Sequence, residues 1–245
     1  MPQRYLRGLA SVAAAAAADD VAVVLVSFMR SGDFWREGAA KMGLDLGVLA
    51  RAGRFVFVDG LTGLFAPALG RTGGAPPGAD RVIFGSELGT VRRGIEAGLA
   101  AAHGAKTVLI VDQIDVLVAA AAPADNVTDL SVQSMLLSLR ETPSQRAHAT
   151  ILTFAADDPL LQAQTTTLER RHAALVLSQT HAARTIVSLR KLDTGTARDV
   201  SGVMRITAAA HDDGHDDGDD GLRDDAEYLY HVGGDLSVRV FERGA

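Results

Sequence analysis

The sequence predicts an α/β fold with three layers, a mostly parallel central sheet between helices and an antiparallel extension at the C-terminal end. Over the first two-thirds of the chain, short apolar runs alternate with segments of helical character. In the last third, strand-like runs follow one another with only turns between them. The 245 residues are 47% hydrophobic, which suits one packed domain, and we predict a single domain over residues 1–245.

The segment KTVLIVDQIDVLV, residues 106–118, is central to this prediction. Its apolar run is typical of a central strand buried on both faces, and it ends at Asp112, with a second acid at Asp115. Open α/β sheets bind ligands at this end of their strands. In nucleotide hydrolases such an aspartate is the Walker B residue that holds magnesium. Aspartate at this place also caps helices, so a structural role stays open.

The other elements of the parallel part follow from the same patterns. Short apolar runs bounded by turn residues predict strands at 21–27, 54–58, 81–84 and 150–154. Helical spacing and composition predict helices at 4–18, 33–42, 45–51, 88–103 and 127–141. The last of these helices has Leu130, Ser134, Met135 and Leu137 on one side. Prolines and glycines predict loops at 61–80 and 119–125.

The last third predicts a meander of short strands. The strand-like runs lie at 175–177, 185–189, 203–207, 228–232 and 236–241. The pair Gly233-Gly234 predicts a tight hairpin between the last two strands. Residues 160–171 are polar and rich in threonine, and we expect part loop and part helix there.

Several catalytic motifs are excluded by the sequence. The nearest match to a phosphate loop is Gly104-Ala105-Lys106-Thr107, in which Ala100 and Ala105 replace both glycines of the motif. This segment follows a predicted helix and begins a strand, the reverse of a phosphate loop. The chain has no G-x-G-x-x-G, H-E-x-x-H or G-x-S-x-G motif and no cysteine. We therefore predict no cofactor and no metal site, and no catalytic residue.

Neither the histidines nor the distribution of charge predicts a catalytic or metal-binding site. We expect His172 and His181 on a surface helix or loop without a chemical role. The net charge is −6, and the segment 211–225 carries −7 of it, which leaves the rest of the chain at +1. We predict that 211–225 is an acidic disordered loop. The longest apolar runs are shorter than the roughly 20 residues of a membrane helix, so we predict neither a membrane segment nor a secretory leader.

The predicted C-terminal meander contains several cations, which are Arg184, Arg190, Lys191, Arg198 and Arg205. In ring ATPases, cations at such positions reach the nucleotide of a neighbouring subunit. Three of them, Arg190, Lys191 and Arg198, are the candidate inter-subunit cations. The alternative is an ordinary exposed strand face, where single charges have little effect.

Four stretches together resemble one known family, that of subunit 6 of the Elongator complex. They are residues 23–46, 53–65, 106–119 and 188–207. The resemblance implies a RecA-like fold without its own phosphate loop, in which Asp112 is a Walker-B-like relic. It implies a heterohexameric ring with two related RecA-like subunits, acting with the catalytic Elongator subcomplex. It also implies tRNA binding, a role in tRNA wobble uridine modification, and a location in cytoplasm and nucleus.

The resemblance has one departure. A RecA-like sheet begins with a strand before its first helix, whereas this chain opens on the helix-like residues 4–18. We therefore expect the first strand and the phosphate-loop region to be missing, and the central strand to have an open flank.

Two alternative functions stay open. One is that of an active ATPase of the P-loop type with a divergent nucleotide site. Another is a plain nucleic-acid-binding module, which the nearly neutral body of the chain supports little.

Overall fold

The structure is a computed structural model, and it divides the chain into two compact units. One unit is Ala14–Ser178, and the other comprises Met1–Ala13 and Gln179–Ala245. The first contains a five-stranded parallel sheet and the second a four-stranded antiparallel sheet, so the predicted α/β class is confirmed. The residues described are 21–65, 80–121, 125–141, 147–192, 197, 199–208, 225–234 and 237–242.

The first unit alternates strands and helices. Its strands are β1 (Val21–Ser27), β2 (Phe55–Asp59), β3 (Arg81–Val82), β4 (Lys106–Asp112) and β5 (Ala149–Thr153), in the spatial order β3-β2-β1-β4-β5. Its helices are α1 (Gly32–Lys41), α2 (Leu46–Arg51), α3 (Thr62–Phe65), α4 (Leu88–Ala100), α5 (Val116–Ala120), α6 (Asp129–Glu141) and α7 (Asp158–Gln162). Helix α8 (Thr167–Ala182) follows and crosses into the second unit.

Helices cover the parallel sheet on two faces, which gives the three predicted layers. On one face, Ile95 of α4 and Leu136 of α6 pack in one buried cluster with Val24 of β1. On the other face, Trp35 of α1 packs against a smaller cluster that contains Phe57 of β2. Burying a large apolar side chain contributes about 1.5–3 kcal/mol, so the larger cluster dominates the stability of this unit.

The strand that ends at Asp112 is not the middle of the sheet. The middle strand is β1, while β4 lies second from the edge. Strand β4 buries Leu109 and Val111, whereas its alternate residue Ile110 is only partly buried. Neighbouring Ile151 on β5 is 50% exposed. The predicted burial of β4 on both faces is therefore wrong, because the second cluster is centred on β1 and β2.

The predicted open flank of this strand is also wrong. Strand β4 pairs in parallel with β1 on one side and with β5 on the other. The end of the five-stranded sheet is β5, which pairs with β4 alone among the described strands. Among the described strands, β5 and not β4 is therefore at this edge of the sheet.

Helix α8 replaces a predicted strand at 175–177. The run Leu175–Leu177 lies inside this 16-residue helix. Leu175 is fully buried while Leu177 is half exposed, which a strand, with both residues on one face, would not produce. Short apolar runs are ambiguous between strand and buried helix, and here the length of the element decides.

The helices differ from the predictions in smaller ways. Short helix α3 lies in the predicted loop at 61–80. Helix α5 begins before the predicted loop at 119–125 and ends inside it, and α7 overlaps residues 160–171, where part loop and part helix are expected. Helix α6 turns Leu130 and Leu137 outward, 68% and 53% exposed, and Ser134 is exposed as well. Of the predicted side, Met135 alone faces the buried cluster, because α6 buries residues three and four apart, which are Val132, Met135, Leu136 and Leu139.

The second unit is an antiparallel meander, as predicted. Its strands are β6 (Thr185–Arg190), β7 (Gly202–Ala208), β8 (Ala226–Val232) and β9 (Val238–Glu242), in the order β6-β7-β8-β9. The β8–β9 hairpin is closed by a 2.8 Å bond from Gly233 N–H to the Ser237 carbonyl. Within the described residues these strands pair with one another and not with the parallel sheet.

Some predictions fall outside the described residues. They are the helix at 4–18, most of the loop at 61–80, Arg198, and the acidic segment up to residue 224. Across the part of the chain that the structure describes, no helix is both long enough and apolar enough to span a membrane.

Candidate functional site

The carboxyl edge of the parallel sheet carries a row of polar residues. Ser27, Asp59, Asp112 and Thr153 are the last residues of β1, β2, β4 and β5. They are register partners across neighbouring strands, with Ser27 between Asp59 and Asp112, and Thr153 beyond Asp112. Parallel strands in register end at the same edge, where open α/β sheets place their ligands. This row is the candidate functional site.

Asp112 is engaged on both carboxylate oxygens. The Ser27 hydroxyl donates to Oδ2 and the Thr153 hydroxyl donates to Oδ1, each at 2.8 Å. Hydrogen bonds to a charged acceptor are stronger than neutral ones. The carboxylate therefore joins the ends of three neighbouring strands, β1, β4 and β5.

The same two hydroxyls also hold the loops that leave the sheet. Ser27 Oγ accepts the Arg30 N–H at 2.9 Å, and Thr153 Oγ1 accepts the Gln113 N–H at 3.1 Å. Gln113 has a left-handed backbone with φ of 56°, which is uncommon for residues other than glycine. Each hydroxyl thus accepts from a loop amide and donates to Asp112, so one carboxylate organises two turns.

Asp59 has a separate and local role. Its Oδ1 accepts the N–H groups of Leu61 and Thr62 at 2.9 and 2.8 Å, and its Oδ2 accepts the Thr62 hydroxyl at 2.7 Å. These bonds cap the start of α3. The geometry accounts for this buried carboxylate without a ligand.

Next to the row lies a buried acid and a buried imidazole. Asp115 and His172 are 5% and 9% exposed, and His172 Nδ1 lies 3.7 Å from Asp115 Oδ2. Burial raises the pKa of Asp115, and the charge of Asp112 acts in the same direction, while the Ala155 N–H and His172 oppose the rise. The expectation that His172 lies on the surface is wrong, whereas His181 is exposed as predicted.

A signal in the sequence could have located His172. Thr166 and Glu169 form a capping box: Thr166 Oγ1 accepts the Glu169 N–H at 3.2 Å, and Glu169 Oε2 accepts the Thr166 N–H at 2.7 Å. The T-x-x-E spacing marks the start of α8 at residue 167. From that start, the buried positions His172, Ala173, Leu175 and Val176 follow helical spacing.

The rejected phosphate-loop candidate lies at the wrong end of the sheet. Lys106 is the first residue of β4 and Asp112 the last. Six steps of a parallel strand span about 20 Å, so the two side chains cannot meet one phosphate group. Among the residues that the structure describes, no group of three His, Asp or Glu side chains could hold a metal ion.

The sequence comparison identifies the family. The family model described as "Elongation complex protein 6" matches residues 16–231, which is most of the chain. The chain belongs to this family. Membership implies a subunit of the Elongator complex and confirms the resemblance described above. Among curated proteins, no sequence matches the chain.

Solved structures show the fold. The chain resembles the KaiC-like protein PH0186 from Pyrococcus horikoshii OT3, with a TM-score of 0.50 and 12% identity over 90% of this chain and 76% of that one. It also resembles the uncharacterized protein PH0321 from Pyrococcus horikoshii, solved with an unknown peptide. That match has a TM-score of 0.55 and 12% identity over 98% of this chain and 85% of the other. These likenesses confirm the RecA-like fold that the family implies.

The predicted inter-subunit cations differ in their surroundings. Arg190, at the end of β6, lies 3.4 Å from Glu227 on β8. Lys191 follows it and is exposed. Arg205 on β7 pairs with Asp225 at 2.6 Å. Opposite charges at these distances neutralise part of the positive field.

Proposed function

We propose that this chain is a non-catalytic subunit of the hexameric RecA-like accessory ring of the Elongator complex. The ring contains two related RecA-like subunits and supports tRNA wobble uridine modification by assembling and binding tRNA. The observation that carries the proposal is the engagement of Asp112 by Ser27 and Thr153 in a chain whose sequence has no phosphate loop. Asp112 is then a Walker-B-like relic that joins strands.

Phosphoryl transfer needs parts that this site does not bring together. A lysine must meet the β- and γ-phosphates while a carboxylate helps to hold magnesium between them. Here the lysine of the nearest loop-like segment begins β4 and the carboxylate ends it. The carboxylate oxygens are occupied with hydroxyl donors from two neighbouring strands. This separation supports a subunit that keeps the fold without the chemistry.

Exposed apolar side chains support assembly. Leu130 and Leu137 on α6 lie two turns apart on one exposed side of that helix. In the second unit, Val187 and Leu189 share a face of β6 and are 55% and 64% exposed. Contiguous apolar surface of this kind marks interaction sites on soluble proteins. We expect the isolated chain to self-associate, and partner subunits of the ring to improve its solubility.

The remaining roles follow from the ring. Lys191 and Arg190, with Arg198 beyond the described residues, are the cations proposed to face a neighbouring subunit. The ring would bind tRNA through phosphate contacts, which depend strongly on salt. It would act with the catalytic Elongator subcomplex, in the cytoplasm and the nucleus.

ATP hydrolysis tests the non-catalytic assignment. The purified full chain should release phosphate from ATP no faster than a blank purified in parallel from cells without the gene. Asp112→Ala should leave this background unchanged, as should Asp199→Ala, an exposed carboxylate of the second unit. Turnover above the blank that is lost in Asp112→Ala and kept in Asp199→Ala would overturn the proposal in favour of an active ATPase with a divergent site.

A further inference from the structure

Three residues close a small ring beside the carboxyl edge of the sheet. Asp115 precedes α5, Ala155 lies in the turn between β5 and α7, and His172 lies on α8. The Ala155 N–H donates to Asp115 Oδ2 at 3.3 Å, and the Ala155 carbonyl contacts His172 Nε2 at 2.8 Å. His172 Nδ1 completes the ring at 3.7 Å from the same Asp115 Oδ2. We call these three residues the clamp.

The contacts determine where hydrogens must lie. A carbonyl oxygen only accepts hydrogen bonds, so His172 Nε2 carries a hydrogen. Nδ1 of a neutral imidazole then presents a lone pair to Asp115 Oδ2. An ionised carboxylate presents a lone pair as well, and the two would repel. One further proton between Nδ1 and the carboxylate turns this repulsion into attraction, whichever atom carries it.

Burial makes that proton matter. Asp115 Oδ1 is buried without a hydrogen-bond partner within the described residues, and a buried charge without enough partners is costly. When the extra proton leaves, the ionised carboxylate of Asp115 faces the Nδ1 lone pair of a neutral His172 imidazole. When it is present, the clamp is either a close ion pair or a neutral acid beside a neutral imidazole.

We propose that the clamp is a proton-dependent brace, closed when Asp115 and His172 hold one proton between them and weakened when that proton is lost. The brace would hold the turn that follows β5 against helix α8. Because Ala155 lies two residues after Thr153, the brace would also support the hydroxyl that holds Asp112. A change in pH would thereby alter the order of the carboxyl edge. This proposal stands independently of the proposed function.

The charged groups around the clamp define the direction of the effect. The titratable groups acting on Asp115 are Asp112 from β4 and His172 from α8. The turn after β5 contributes the Ala155 peptide, and its acids Asp157 and Asp158 are exposed. Burial raises the pKa of Asp115 above its unfolded value of about 3.9. The contribution of this carboxyl is therefore complete below that value and is lost as the pH rises through the folded pKa.

The test compares the full chain with Asp115→Asn from about pH 4, near the unfolded pKa, up to about pH 9. An asparagine at this position carries no charge at any pH, and its amide oxygen can still accept from the Ala155 N–H, so the variant removes the titration of the carboxyl. We expect the wild type to lose stability relative to Asp115→Asn as the pH rises. Hydrogen exchange of the Ala155 amide, corrected for intrinsic rates, should accelerate with pH in the wild type and stay constant in the variant.

Controls separate the clamp from general pH effects. His181→Gln changes an exposed histidine on the same helix and should keep the pH dependence of the wild type. His172→Gln should lose it. If Asp115→Asn does not fold, the exchange of the Ala155 amide in the wild type remains a complete test. A wild-type Ala155 amide whose protection is independent of pH, or a difference from Asp115→Asn that stays constant or grows in favour of the wild type, would overturn the proposal.

Discussion

The Ser27 hydroxyl donates a 2.8 Å hydrogen bond to Asp112 Oδ2, and this bond joins the ends of two neighbouring parallel strands. Ser27 is fully buried and also accepts the Arg30 N–H at 2.9 Å. The aspartate that we propose as a Walker-B-like relic is here part of a network of hydrogen bonds between strand ends. The role of Asp112 can therefore be tested through stability as well as activity.

Removing the Ser27 hydroxyl should destabilise the first unit. Ser27→Ala leaves Asp112 Oδ2 and the Arg30 N–H without their partner, and such a loss costs about 1–3 kcal/mol. Chemical denaturation of the full chain measures the free energy of unfolding. Thr153→Val, which removes the second hydroxyl with little change in volume, should have an effect of the same size.

Ser188→Ala is the matched control for this prediction. Ser188 is exposed on β6, so its replacement should change stability by no more than about 0.5 kcal/mol. Because Ser27 and Asp112 interact directly, Ser27→Ala and Asp112→Ala should be less than additive when combined. Additive effects would show that the two side chains stabilise the fold independently.

Leu175 and Leu177 should respond very differently to truncation. Leu175 is fully buried and Leu177 is 50% exposed on the same helix. Leu175→Ala should cost about 2–5 kcal/mol, since it leaves a cavity in the core. Leu177→Ala should cost much less. Equal losses, measured by the same denaturation assay, would favour the strand that the sequence predicts at 175–177.

The sequence was sufficient for most of the fold. The apolar runs of β1 and β4 and the terminal position of Asp112 could be predicted, because buried parallel strands show as continuous apolar runs. The hydroxyl partners of Asp112 could not be predicted. Ser27 and Thr153 lie 85 and 41 residues from Asp112, and their approach depends on strand order and register. Neither follows from local patterns.

The buried position of His172 was missed for a different reason. Its helix begins at Thr167 after two further threonines, a residue type of low helical propensity, and its apolar run is short. The capping box of Thr166 and Glu169 was the local signal that outweighed this low propensity. The prediction that β4 is buried on both faces is wrong for another reason, because the sequence of a strand does not show whether helices cover both of its faces.

Glu169 should titrate far below an ordinary glutamate. Hydrogen bonds from the Thr165 hydroxyl and from the Thr166 N–H lower the pKa of Glu169 to about 2. Its contribution to stability is therefore present above the unfolded pKa of about 4.3 and is lost as the pH falls through the folded value. Carbon-detected NMR of the Glu169 carboxyl in acid titrations measures this pKa directly.

Thr165→Val provides the control for the Glu169 titration. It removes the hydroxyl donor at 2.6 Å and keeps the side-chain volume, so the pKa of Glu169 should rise toward the ordinary value. A wild-type Glu169 that titrates near 4.3 would contradict the capping geometry.

The acidic segment should weaken RNA binding by the ring. Residues 211–225 carry −7, and Asp225, the last of them, pairs with Arg205 at 2.6 Å. Replacing 212–224 with a neutral Gly-Ser linker of equal length should tighten tRNA binding. The gain should be largest at low salt, because charges are screened over about 10 Å at 0.1 M salt. Titrations of tRNA at several salt concentrations measure it.

A charge-preserving control isolates the electrostatic effect. The same residues 212–224 in reversed order keep both charge and length, and this ring should bind tRNA like the wild type. If the linker ring and the wild-type ring have identical curves at low salt, the acidic segment does not oppose RNA. That result would leave the proposed ring assembly itself untouched.

Native mass spectrometry of the chain co-expressed with the two related RecA-like Elongator subunits tests the central claim most directly. The account predicts a six-subunit complex that contains this chain and both partners. It also predicts the same complex for Asp112→Asn, since the hydrogen bonds of Asp112 lie within the first unit. A chain that stays apart from the other two subunits while they assemble without it would contradict the account.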